Sequence, residues 1–373
     1  MEKPLILYRR VIPQTVRPAI ATLAVMLLMV FLILLKSGGD PLELTRIGTI
    51  YSQNDPNGSE GYDGQFVYYI AREPSPLAVR SFLDVPAYRY QRILLPLVTN
   101  ILSAGNEQLI PWALPAIILI AQFFGTWMVG ELLLLWGVSP WYAMTYGLWV
   151  GFTLAIRLDL PEPIAYALVA GALLAQERKK TVIGCILLGL SLFAKEVTIL
   201  FVAAALLSAL SQKQWRRLAG LLVISVLPYG LFQLWLLRVF GQLGIGSGGA
   251  MATSFEVVPF MGLLRILSFS AIYGLAMLIV FVPSIVLPAI WGIVASIRKL
   301  IERDTSVVVF ALLLNALAIA FLPFSTFRET GGLLRFACGL VLAVLLFSAR
   351  YKLVRVLKYS QLWIILNVFL VKS

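Results

Sequence analysis

Histidine is missing altogether from this chain, and cysteine occurs only twice, at Cys185 and Cys338. Without an imidazole there is no His general base and no His metal ligand. Any chemistry has to rest on carboxylates, Arg, Lys and Tyr. Both cysteines sit inside apolar runs, which argues against a disulfide framework or a thiolate metal site. Charge is scarce as well: 13% of residues, against about 25% in soluble domains. Also missing are the strict apolar–polar alternation of a membrane β-barrel, any fixed-period repeat and any low-complexity linker.

What the chain has instead is apolar length. Of its 373 residues, 60% are hydrophobic, and the mean hydropathy is +0.91. Runs near the ~20 residues needed to cross a bilayer recur from end to end. The expectation is an all-α polytopic membrane protein with about ten transmembrane helices, forming a single transmembrane domain over residues 1–373. The first run, "RPAIATLAVMLLMVFLILLK", is too long for a signal-peptide core and reads as a retained span.

The net charge of +12 does not point to nucleic acid, because the basic residues fall in short loops. Lys3, Arg9, Arg10 and Arg17 precede the first run. Arg178 to Lys180, Lys213 to Arg217, Arg298 to Arg303 and Arg350 to Lys358 mark the other loops. That is the positive-inside pattern. It predicts a plasma-membrane protein with a cytoplasmic N-terminus and contacts to membrane lipid headgroups. The threading that follows places spans at about 17–36, 110–136, 140–157, 162–177, 181–194, 196–210, 217–240, a stretch ending near 297, 305–323 and 332–348. A long outer loop, about 37–109, carries short interfacial helices, one of them near 92–104, whose own crossing the sequence leaves open. The "GIGSGG" segment reads as a flexible outer loop or lid, and the tail "LWIILNVFLV" as a packed or interfacial piece.

The charges outside the basic loops gather on the outer side. Asp159 and Glu162 lie at one hairpin tip, Lys195 and Glu196 at the next, and Arg328, Glu329 and Arg335 near the last outer loop. Ionisable groups near membrane depth cost about 2.5–3.5 kcal/mol each and usually mark a site. In "GYDGQFVYYIAREP", Asp63 precedes Gly64 in a tight turn, beside Tyr62, Phe66, Tyr68 and Tyr69, aromatics suited to an interface or to stacking on a sugar. In "YRYQR", Arg89 and Arg92 share a face if the segment is helical, and guanidinium forks bind phosphate bidentately. A carboxylate beside a phosphate clamp suits transfer from a lipid phosphate to a hydroxyl. Lys195 reads equally as a phosphate contact or as an internal salt bridge with Asp159 or Glu162.

The order "YDGQFVYYIA", "YRYQRILLPL", "LPEPIAYAL", "FAKEVTILF" resembles the small bacterial members of the GT-C class of integral-membrane glycosyltransferases, over roughly residues 15–210. The resemblance implies a polyprenyl-phosphate-linked sugar as donor, a glycan, lipid or protein acceptor, inverting chemistry on the outer face, and no metal or other cofactor. It implies Asp63 as catalytic base, with Arg89, Arg92 and Lys195 on the donor phosphate. Tyr62, Asp159, Glu162, Arg328 and Arg335 are the further substrate-binding candidates. Many members of the class carry two adjacent acidic residues where this chain has Asp63-Gly64, so Asp55 and Glu60 stay open as the base. The rivals are a transporter or flippase for a lipid-linked or anionic substrate, and a non-catalytic membrane subunit.

Overall fold

The computed structural model describes residues 13–370, so Lys3, Arg9 and Arg10 lie outside the described residues. The described chain is helical throughout, with no strand. The principal helices are α1 (Val16–Lys36), α2 (Gly64–Arg72), α3 (Pro86–Tyr90), α4 (Leu94–Leu102), α5 (Ile110–Leu135), α6 (Val150–Arg157), α7 (Glu162–Glu177), α8 (Thr181–Ala194) and α9 (Ile199–Ser211), followed by α10 (Trp215–Phe240), α11 (Ala271–Ile301), α12 (Val307–Ala320) and α13 (Thr330–Arg350). Five of them, α1, α5, α10, α11 and α13, are long and apolar enough to cross a membrane. They match five of the ten runs read from the sequence. The other five runs correspond to shorter helices.

One shorter segment differs from the expectation, and another takes the short helical form read from the sequence. The run at 140–157 is not one rod: Trp149 is extended (φ −61°, ψ 129°) and breaks it just before α6. Tertiary packing imposes the break, since the Trp149 indole donates to the carbonyl of Leu334, 2.9 Å away. The segment near 92–104 forms α4, nine residues long. At ~1.5 Å per residue it covers about half of a hydrocarbon core. It packs against α2 and the start of α5 rather than standing alone.

Apolar side chains cover the outside of the long helices. Leu28, Phe31 and Leu35 of α1, Val223 and Leu231 of α10, and Ile272 and Ile279 of α11 are all exposed. Such faces fit a lipid solvent, in which burial of every helix is unnecessary. The helix α13 is the exception, with 89% of its apolar window buried. It runs through the middle of the bundle against α12, α6 and α7. Two breaks in regular geometry mark α10 and α11, whose π-turns at Leu221–Val226 and Val282–Val286 immediately precede Leu227-Pro228 and Leu287-Pro288. A proline lacks the N–H that would continue the i→i−4 ladder, and the turn widens to absorb the loss.

The outer loop read as flexible and the tail read as packed or interfacial are both tied down. In the "GIGSGG" loop, Gln233 Oε1 accepts the backbone N–H groups of Gly244 and Ile245 at 2.9 and 3.0 Å. The same loop is pinned at its far end by Phe260 N–H on the Ala320 carbonyl. The tail forms a helical turn, Leu362–Leu370, with Trp363 buried and Asn367 donating to the Leu148 carbonyl at 2.7 Å.

Candidate functional site

Asp63 is the residue immediately before α2, where an Asp side chain commonly caps the helix. Here it makes no cap. Two close approaches aim it elsewhere. A Cβ on Gly64 would lie 2.1 Å from the Leu158 carbonyl, so only glycine lets the start of α2 press against the loop before α7. A Cβ on Gly151 would lie 2.2 Å from the Leu334 carbonyl, and that contact seats the first turns of α13 on α6. The result brings Asp63 to Arg335, 272 residues along the chain.

Around that meeting point the charges interlock. Asp63 Oδ1 takes Arg89 Nη1 at 2.9 Å, and Oδ2 accepts from Arg335 Nη1 at 3.0 Å. Arg89 turns its other donors bidentately onto Asp84, at 2.7 and 2.8 Å. Arg92 grips Glu196 the same way, at 2.8 and 2.6 Å, and also donates to the Tyr88 hydroxyl. Lys195 pairs with Glu162, and Arg335 Nε lies 3.8 Å from that same carboxylate. The outermost member is Glu329, which accepts from the Tyr62 hydroxyl at 2.6 Å and faces Arg335 Nη2 at 3.6 Å. Aromatic rings line the seams: Arg89 over Phe66, Arg92 over Tyr88, Arg335 over Tyr62.

Burial alone would push the Asp63 carboxyl up. Arg89 first, then Arg335 and Arg92, pull it down by more, and it is held well below the usual carboxylate range. Burial likewise opposes the charge of Arg89, yet Asp63 and Asp84 keep it firmly protonated. The assembly carries five carboxylates (Asp63, Asp84, Glu162, Glu196, Glu329) against four cations (Arg89, Arg92, Lys195, Arg335).

Of the residues singled out from the sequence, Asp63, Tyr62, Arg89, Arg92, Lys195, Glu162 and Arg335 come together. Asp159 and Arg328 do not. Asp159 adopts a left-handed backbone (φ 50°), which carries its carboxyl away from Glu162 and into a buried niche. There Oδ2 accepts from Thr45 at 3.0 Å and no cation among the described residues answers it, so burial pushes it up to about 8. Arg328 is exposed, with its guanidinium 5.9 Å from the Phe324 ring. The helix α3 ends before Arg92, yet both arginines flank the Tyr88 ring and then diverge to different carboxylates. Lys195 takes Glu162 and not Asp159. Asp55 and Glu60 stay exposed; Asp55 closes its own loop by accepting from Asn57 N–H at 3.1 Å. Asp84 and Tyr88 were missed. Nothing in "SFLDVPAYRY" separates Asp84 from an ordinary loop acid, whereas Tyr88 is the residue between two arginine contacts and was open to notice.

Among the described residues no three His, Cys, Asp or Glu side chains group as a metal site. Two cavities are lined by residues outside the cluster. One, of about 320 Å³, is apolar and sits between α11 and the C-terminal segment; the other, of about 460 Å³, is framed by residues 253–258, Arg265 and Phe324. No family model matches the chain, and neither a curated protein nor a solved structure matches it.

Proposed function

We propose that this protein is a GT-C-like glycosyltransferase that moves a sugar from a polyprenyl-phosphate donor to an acceptor hydroxyl at the extracytoplasmic face of the plasma membrane. In this reading the five shorter runs cross as well, giving about ten spans with the N-terminus in the cytoplasm, as the basic loops favour. The observation that carries it is Asp63: one carboxylate shared by two guanidiniums, with its side chain still 24% exposed while theirs are 10% or less.

The charge balance suggests how such a site would work. Carboxylates already outnumber cations, so an incoming donor phosphate takes guanidinium contacts from a carboxylate instead of adding to them. Asp63 is the carboxylate best placed to yield, since Arg89 and Arg335 both have other acids to hold them in position. Freed of its partners, it regains basicity and accepts the proton of the attacking hydroxyl as the new bond to the anomeric carbon forms. The bond from that carbon to the phosphate oxygen breaks in the same displacement. Arg89, Arg335 and, behind them, Arg92 and Lys195 stabilise the departing polyprenyl phosphate.

The test is transfer in reconstituted membranes from radiolabelled polyprenyl-phosphate sugars, with wild type beside Asp63→Asn. Wild type transfers sugar; the variant loses about 10²–10⁴-fold of the rate while still binding polyprenyl phosphate. Full transfer by Asp63→Asn would remove the base assigned here. Movement of the donor across the bilayer with no glycosidic bond formed would replace the enzyme by a transporter.

A further inference from the structure

We infer that the cavity framed by residues 253–258, Arg265 and Phe324 is the acceptor subsite, and that it takes a neutral pyranose ring. The inference rests on the glycosyl-transfer reading, but on none of the residues that carry it. The cavity has about 460 Å³, within the ordinary range for a small-molecule site.

Its chemistry is that of a sugar site. Glu256 is buried, its side chain 7% exposed, and holds Arg265 Nη2 at 3.1 Å through Oε2. Oε1 remains to accept, and the guanidinium, 57% exposed, has further N–H groups to donate. A fixed acceptor next to a fixed fork of donors matches two neighbouring hydroxyls of one ring. Thr253 and Ser254 add hydroxyl-bearing side chains to the wall, while the exposed Phe255 offers an aromatic face to the C–H side of the ring. Because the carboxylate and the guanidinium cancel, the site has no net attraction for phosphate. That ligand is served by the arginines of the Asp63 cluster, so the two sites divide a substrate pair by charge.

The cavity is also tethered to the cluster. Thr253 and Ser325 exchange bonds, with Thr253 N–H on Ser325 Oγ at 3.1 Å and Ser325 N–H on Thr253 Oγ1 at 3.0 Å. Four residues on, Glu329 binds Tyr62. On its other side the same loop passes over the cluster, where a Cβ on Gly249 would lie 3.5 Å from Arg89 Nη2. Two segments of chain, 249–258 and 325–329, therefore connect the cavity wall to the residues flanking Asp63.

The full chain in lipid nanodiscs is probed by saturation-transfer NMR with methyl glucopyranoside, methyl mannopyranoside and methyl N-acetylglucosaminide. Polyprenyl phosphate binding is measured separately. At least one pyranoside binds wild type, and Glu256→Gln and Phe255→Ala each weaken it about tenfold, as loss of a charged acceptor or a stacking face should, with polyprenyl phosphate binding unchanged. Absence of any pyranoside signal from wild type overturns the site. So does a signal indifferent to both variants, the Phe255 change covering the case in which Glu256→Gln does not fold. A pyranoside signal without any polyprenyl phosphate binding overturns the glycosyl-transfer reading, and with it the acceptor role, while leaving a sugar site in place.

Discussion

The helices α7 and α13 carry charge at both ends, and the two ends obey different rules. At the ends bearing Glu162 and Arg335, partners come from distant parts of the chain and are buried: Arg335 with Asp63, Arg92 with Glu196, Lys195 with Glu162. At the other ends, or beside them, pairs are exposed. Arg178 with Glu131 and Lys299 with Glu302 are of this kind, one side chain of each being 47% and 59% exposed, the latter pair spaced i,i+3 at the end of α11. The same residue types mean different things in the two places. An exposed pair contributes about 0–1 kcal/mol, because water serves either charge nearly as well. In a buried network each ion has been taken from water, and removing one leaves its partners stranded. The buried end is therefore a poor device for stability alone; in the function proposed above, a substrate replaces one of the partners.

The comparison is broken most severely at Arg335, which faces Asp63, Glu162 and Glu329 at once. Arg335→Gln should cost about 3–5 kcal/mol, read as a large fall in the detergent-solubilised Tm, and adding Asp63→Asn should restore part of it. A single variant within about 1 kcal/mol of wild type would mean that the cluster behaves as a solvated surface.

Asp159 sharpens the contrast, being a buried acid that no cation among the described residues pairs with. Its folded pKa, about 8, lies above the ordinary value of 3.8. Between those values the folded state holds a proton that the unfolded state has released, so stability falls as pH rises across that window. The wild-type Tm should decline from pH 4 to 8, and Asp159→Asn should flatten that part of the profile. An unchanged slope in the variant would assign the dependence to other groups. The smallest effect belongs to the exposed end: Lys299→Gln should move stability by less than about 1 kcal/mol, and by less still in high salt. A larger loss there would erase the distinction between the two ends.

These contrasts also explain what the sequence disclosed. Asp63, Arg89, Lys195 and Arg335 stood out because an ionised group amid apolar runs is expensive enough to need a reason. The five long spans were visible for the same reason that lipid tolerates them: sustained apolar length. What stayed hidden was set by tertiary contact. Asp159 and Glu162 are three residues apart and looked alike, yet one left-handed residue sends the first to Thr45 while the second opens α7 toward Lys195. The break at Trp149 depends on a carbonyl of α13, and Asp84 became a site residue only because Arg89 reaches it. Local pattern carries neither.

The contact between Asp63 and Arg335 has a consequence in time. Arg89 follows Asp63 almost at once during synthesis, but Arg335 comes 272 residues later. At ~5–20 residues per second, Asp63 waits roughly 14–54 s for its second partner. Throughout that interval the nascent chain holds a half-answered acid beside helices already entering the bilayer. A chain that stops before α13 thus leaves Asp63 with one of its two guanidinium partners.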